Sequence, residues 1–255
     1  MHIYKLFFGL IILIFLNLFL NGLDKNGYNK IYDEVVTSKD WGRGVKIFRE
    51  AVEKYPDEIS FHLALNWFLR ENKEFNEAYK RIEPLYQKYS DNKDVLSHYK
   101  WTLQSLGWEK FDKKDYKNSF LLFEKAYLID PKDEWIINGY GSLLRETGKI
   151  EEAIDILCKG TKTFPENRYI HGNYISALLA LAWKNNETNK NGALDIFKKA
   201  YDFDKENIWT INGYGYILRE TNNFEESINI LEKGLTNNKE SSELKEQLLY
   251  SYLNY

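Results

Sequence analysis

Residues 135–160 read WIINGYGSLLRETGKIEEAIDILCKG, and residues 209–234 read WTINGYGYILRETNNFEESINILEKG. The blocks align without a gap at an offset of 74 positions. A chain that copies itself at a fixed interval is an array of stacked units, each packing mainly on its neighbours. Such an array offers an extended surface, and neither copy carries residues arranged for chemistry. Binding is the expected mode of action.

Within the block the apolar period is helical. Ile137, Tyr140, Gly141 and Leu144 fall at i, i+3, i+4 and i+7, one face of an α-helix. Gly148 interrupts the run, and Ala153, Leu157 and Gly160 mark a second helical stripe. Pro165 suits the turn before the next helix. The second helix opens with Glu151 and Glu152 and closes near Lys159 and Lys162, which complements the helix dipole. Small residues at Gly141, Ala153 and Gly160 let two helices approach closely.

These features resemble the tetratricopeptide repeat, a helix-turn-helix unit of about 34 residues. Residues 134–167 match its small-residue and proline pattern through Gly141, Ala153, Gly160 and Pro165. Residues 208–241 match through Gly215, Ser227 and Gly234, with Lys239 in the proline's place. Residues 59–92 match through Ala78, Ile82 and Leu85, but Asn66 stands where glycine is usual, and Pro84 falls inside the second helix, where a kink is expected. Residues 25–58 supply Gly44, Phe48, Ala51 and Pro56, with a short first helix expected from about Tyr28 to Val36. Units 93–133 and 168–207 are longer, and the extra residues are expected in the first helix or its loop. Residues 242–255 read as a capping helix. The resemblance covers about residues 25–241. It implies an all-α fold, a right-handed superhelical solenoid of stacked helix-turn-helix repeats in which standard and extended units alternate.

The N-terminus stands apart. Lys5 precedes an uncharged run from Leu6 to Leu20. That run is short for a spanning helix of about 20 residues and long enough for a signal-peptide core. Residues 1–22 are expected to be a signal peptide, cleaved near Gly22, or an uncleaved membrane anchor. Either places the remainder in the periplasm or cell envelope, or outside the cell, and limits membrane contact to this segment.

In the family resembled, the first helix of each pair lines a concave groove. Carried onto this chain, that implies Trp67 and Arg70, with Ser60 and Leu63, from one unit. It implies Trp135, Asn138, Ser142 and Arg145 from a second unit, and Trp209, Asn212, Tyr216 and Arg219 from a third. Asn138 and Arg145 are two helical turns apart and point the same way. Arg70, Arg145 and Arg219 would form a ladder of guanidinium forks suited to carboxylates or a peptide backbone. Equally, each Arg-Glu pair can be structural. Trp67, Trp101, Trp135 and Trp209 either anchor a ligand or fill gaps between helices. Trp108 and Trp183 are expected to pack against adjacent loops. Some family members hold a chaperone carboxyl terminus in a Lys-and-Asn clamp. Leu63 with Trp67, Ser97 with Trp101, and Asn138 with Ser142 do not reproduce it.

A net charge of −3 gives no global pull toward nucleic acid. Cys158 is the single cysteine, so no internal disulfide is expected. His62, His98 and His171 share no ligand spacing, and no metalloprotease, nucleophile-elbow or phosphate-loop motif occurs. No enzyme activity, metal or cofactor is expected. The reading is a non-catalytic scaffold that takes a peptide or protein partner in its concave groove. An envelope glycan-binding module and an accessory subunit of an envelope enzyme assembly remain alternatives.

Overall fold

The computed structural model describes residues 23–255. The apolar run 6–20, with its signal or anchor reading, lies outside the described residues. Among the described residues there are 13 α-helices and no strand. They are α1 (Lys25–Ser38), α2 (Trp41–Lys54), α3 (Ile59–Glu71), α4 (Phe75–Lys88), α5 (Lys93–Asp112), α6 (Tyr116–Ile129) and α7 (Glu134–Glu146). There follow α8 (Ile150–Thr163), α9 (Arg168–Asn186), α10 (Lys190–Phe203), α11 (Ile208–Glu220), α12 (Phe224–Asn237) and α13 (Ser242–Asn254).

The chain divides into two compact units between Lys113 and Lys114, in the turn joining α5 to α6. The first holds α1–α5 and the second α6–α13. Each is built the same way. Consecutive helices pack on one another, and alternate helices touch as well: α3 on α5 in the first unit, α7 on α9 and α11 on α13 in the second. This is an all-α solenoid of helical repeats.

Local chemistry sets the helix starts. Asn92, Asp133, Asn167 and Asn207 each accept two backbone N–H groups at the starts of α5, α7, α9 and α11. Such caps satisfy donors that a helix leaves orphaned. Asp24 caps α1 by accepting from the Gly27 N–H, so α1 begins at Lys25 and ends at Ser38. The short helix expected from Tyr28 to Val36 is thus extended at both ends. The extra residues of the longer repeats lie in the helix and not in a loop: α5 has 20 residues and α9 has 19, against 13 in α7 and in α11. Pro84 does not break α4, which runs from Phe75 to Lys88.

Packing explains the repeated glycines. A Cβ on Gly139 would lie 2.3 Å from the Phe123 ring, and one on Gly213 would lie 2.6 Å from the Phe197 ring. Gly141 is pressed against Leu157 and Gly215 against Leu231, at 2.6 and 2.7 Å by the same measure. Gly160 meets Ile137 and Gly234 meets Ile211 in the same way. Interiors are close-packed, so these contacts leave no room for a methyl group. Five of the six turns inside the helix pairs use a left-handed residue: Lys39, Lys73, Lys114 and Asn222, with φ of 56 to 63°, and Gly148 with φ of 81°; the turn between α9 and α10 does not.

The first unit has an aromatic core in which Tyr28, Phe48, Phe61 and Phe68 are buried. The second is largely aliphatic around α11, with Ile211, Ile217, Leu218, Leu231 and Leu244 beside Phe197 and Tyr214.

Candidate binding groove

The first helices of three successive pairs, α1, α3 and α5, face a groove of about 480 Å³ in the first unit. Its apolar lining comes from Tyr32, Phe48, Phe61, Leu63, Ala64, Trp67 and Trp101. Asn29, Ser60, Asp94, Ser97 and His98 supply its polar lining. Trp67 is fixed in place: its ring lies 5.4 Å from Trp41, edge to face, and 5.6 Å from Tyr32. Trp101 is 43% exposed and presents more of its ring to solvent.

A polar network lies beneath the groove. Asn66 replaces the small residue usual at this point and is buried. Its amide donates to the Ala78 carbonyl at 3.0 Å. That orientation leaves the Asn66 Oδ1 to accept from the Thr102 hydroxyl at 3.1 Å and to face the His98 Nδ1 at 3.2 Å. An amide oxygen only accepts, so His98 carries its proton on Nδ1 and leaves Nε2 a lone pair. Burial pushes His98 down to about 4; the charge of Arg70 lowers it further, and Asp94 opposes. The imidazole is neutral at neutral pH.

Arg70 stands at the edge of this groove. Its guanidinium lies 5.3 Å from the centre of the Trp101 ring, within cation–π range. Its Nε is buried without a hydrogen-bond partner. Burial lowers the guanidinium to about 10, opposed by the nearby charge of Glu71.

The three arginines expected to form a ladder stand in three different settings. Arg145 donates to Glu146 at 2.9 Å, and its Nε is buried and unpartnered. Arg219 is clamped: its guanidinium lies 5.3 Å from Tyr216 and 5.4 Å from Tyr250, and it donates to the Gln247 Oε1 at 2.7 Å. It ties α11 to α13. Ser142, read from the sequence as an open-face position, is buried, and its hydroxyl donates to the Asn138 carbonyl one turn earlier at 2.9 Å. The Asn138 side chain accepts from Asn173 at 2.7 Å, whereas the Asn212 Oδ1 is buried without a partner. Tyr216 packs on Trp183 at 5.0 Å. Trp183 also meets Phe197 at 4.8 Å, so it packs against α10 and α11 and not against a loop.

Trp135 and Trp209 are 55% and 64% exposed in the first turns of α7 and α11. Trp135 shares a surface cleft with Tyr169, Glu134, Asn167 and Arg168. The sequence reading missed Tyr32, Tyr169 and the role of His98. A signal for the last was present: Asp94, His98 and Trp101 fall at i, i+4 and i+7 on one helical face. Among the described residues no group of His, Cys, Asp and Glu is arranged to hold a metal ion. No helix of these residues is long and apolar enough to cross a membrane.

A family model for the tetratricopeptide repeat matches residues 211–241, which span α11, its turn and α12. The chain thus carries a tetratricopeptide repeat at residues 211–241. Among solved structures, the tetratricopeptide-repeat protein YrrB, described as having an unusual peptide-binding site, is similar at 16% identity and a TM-score of 0.52. That match covers 78% of this chain and 96% of YrrB. PilF of Pseudomonas aeruginosa aligns at 13% identity, over 87% of this chain and 95% of its own, with a TM-score of 0.46. MamA of Desulfovibrio magneticus RS-1 aligns at 13% identity, over 73% of this chain and 98% of its own, also at 0.46. No curated protein sequence matches the chain. The described residues share the all-α repeat fold of YrrB.

Proposed function

We propose that the protein is a non-catalytic scaffold that binds an extended peptide segment of a partner protein in the α1–α3–α5 groove. One observation carries this reading. Trp67 and Trp101 stand in line on successive first helices, over an apolar floor bordered by hydrogen-bonding groups. Large rigid aromatics beside polar groups are the usual anchors of a recognition surface. The likeness to YrrB, whose description includes a peptide-binding site, supports the class of ligand at the level of fold. Residues 1–22 carry the chain to or across a membrane in this reading, so the partner is a protein of the cell envelope or exterior.

The test places a photoreactive residue at Ser97, a groove position, in intact cells. Protein adducts that disappear when Trp67 is changed to Ala support the reading. Adducts unaffected by that change overturn the groove assignment.

A second reading, a glycan-binding module, is favoured by the cleft where exposed Trp135 and Tyr169 flank Glu134, Asn167 and Arg168. Rings with polar groups between them can stack on a sugar while the side chains bond its hydroxyls. Sugar retained through purification, and lost in Trp135→Ala, would favour this reading.

A further inference from the structure

Three Arg-Glu pairs occupy equivalent places at the ends of α3, α7 and α11: Arg70-Glu71, Arg145-Glu146 and Arg219-Glu220. In the last two the arginine closes on its own neighbour, at 2.9 and 3.4 Å. Arg219 is further held by Gln247 and two tyrosines. Arg70 does neither. It forms no ion pair among the described residues, Glu71 acts on it only at a distance, and its Nε is buried with no acceptor. Trp101 lies against the guanidinium, its ring centre 5.3 Å away. A desolvated cation without a counter-charge is costly in a folded protein. Here it stands beside a groove, next to two groups that line it, Trp101 and His98.

Resting on the peptide-binding reading above, we infer that the Arg70–His98–Trp101 corner is a receptor for a carboxylate, so that the segment bound in this groove carries an acidic group next to an apolar side chain. Charge complementarity commits the occupant. The carboxylate pairs with the Arg70 guanidinium at the groove edge, and the apolar neighbour fills the space between Leu63, Phe61 and Trp67. The charged groups facing His98 are Arg70 on α3 and Asp94 on its own helix; α1 contributes neutral Asn29 and Tyr32. Among carboxylates, only Glu71 acts on Arg70. A bound carboxylate adds a negative charge beside His98 and favours its protonated form. Binding therefore takes up a proton and tightens as pH falls from neutral toward 5.

The probes are three small peptides, added to the full chain and followed by tryptophan fluorescence and by the NMR signal of the Arg70 Nε–H. N-acetyl-Leu-Glu-amide carries a side-chain carboxylate, N-acetyl-Leu-Gln with a free terminus carries a terminal one, and N-acetyl-Leu-Gln-amide carries none. At least one acid should bind about tenfold more tightly than the neutral peptide, the effect of one charge-assisted contact. It should shift the Arg70 signal, and its affinity should rise at lower pH. The advantage should vanish in Arg70→Gln, persist partly in Arg70→Lys, and persist fully in Lys199→Gln, an exposed lysine of the second unit. Which acid wins distinguishes an internal acidic residue from a chain terminus. Circular dichroism on each variant separates lost binding from lost fold. Equal binding of all three peptides, abolished by Trp67→Ala, overturns the carboxylate receptor and leaves the groove standing. An unmoved Arg70 signal with every peptide overturns it outright.

Discussion

His98 is packed so that its charged form is disfavoured, which makes acid stability a readout of the groove. Its value in the fold is about 4, below the 6.5 usual for an imidazole. The folded protein therefore resists binding a proton that the unfolded chain accepts. The stability this represents is complete above pH 6.5 and is lost as pH falls toward 4, by at most ~3 kcal/mol. Urea midpoints measured between pH 7 and 4 should show the loss, and His98→Gln should flatten that limb. A second prediction concerns Arg219. Seven-residue spacing read as an open ladder, yet Tyr216, Tyr250 and Gln247 enclose its guanidinium. Arg219→Ala should lower the thermal midpoint, at a cost of about 1–3 kcal/mol, because it removes the hydrogen bond to Gln247 and two cation–ring contacts. Arg145 and Arg219 repeat in the sequence, so the register was legible there. Their partners were not, since Gln247 and Tyr250 sit on a helix outside the duplicated block. Ser142 was misread for a related reason: a small hydroxyl that bonds its own helix can be buried where a longer polar side chain would not be.

Among the helices, eight of the thirteen starts carry Asp or Asn caps that any reader can see, whereas the turn chemistry was partly hidden. Lys39 and Lys73 occupy left-handed backbone, with φ of 56 and 62°, where Gly148 serves in the duplicated unit. Lysine gives no sequence warning of that geometry. A left-handed conformation costs a non-glycine residue roughly 1–2 kcal/mol, offset in part by the greater chain entropy of glycine. Lys73→Gly should therefore stabilise by about 0.5–1 kcal/mol, and Gly148→Lys should destabilise by a similar amount, both read from thermal midpoints. Pro84 was legible as a residue inside a helix, and it lies within α4. Proline removes a helix hydrogen bond and crowds the preceding turn, at a cost of roughly 3 kcal/mol or more. Pro84→Ala should raise the melting temperature; an unchanged or lower value would mean that the neighbouring helices are shaped to the proline. The longer α5 and α9 were half-legible: the surplus residues could be counted, but whether they formed helix or loop depended on apolar faces carried further along the same axis.

At the level of the whole molecule, the 74-residue self-copy made the fold readable, because periodicity survives where individual motifs have drifted. The groove was readable in part. Ser60, Leu63 and Trp67 follow from register, while Tyr32 belongs to the first repeat, the one least like the others. The export proposed for residues 1–22 has a direct test: residues 1–40 fused to a reporter active only outside the cytoplasm should give activity, and activity confined to the cytoplasm would exclude the envelope reading. The paired glycine contacts carry one more consequence. Phe123 seats against Gly139 and Phe197 against Gly213, so plug and socket recur with the same 74-residue offset. Units joined by interchangeable fittings can be spliced like carriages. A chain lacking residues 134–207 would bring Phe123 to Gly213, keep Gly234 against Ile211, and join two native surfaces with no new packing problem to solve. It should remain helical and melt in one transition, and a second deletion shifted by half a repeat should not. Arrays of this kind can then gain or lose length by unequal recombination between the two copies and remain foldable at each step.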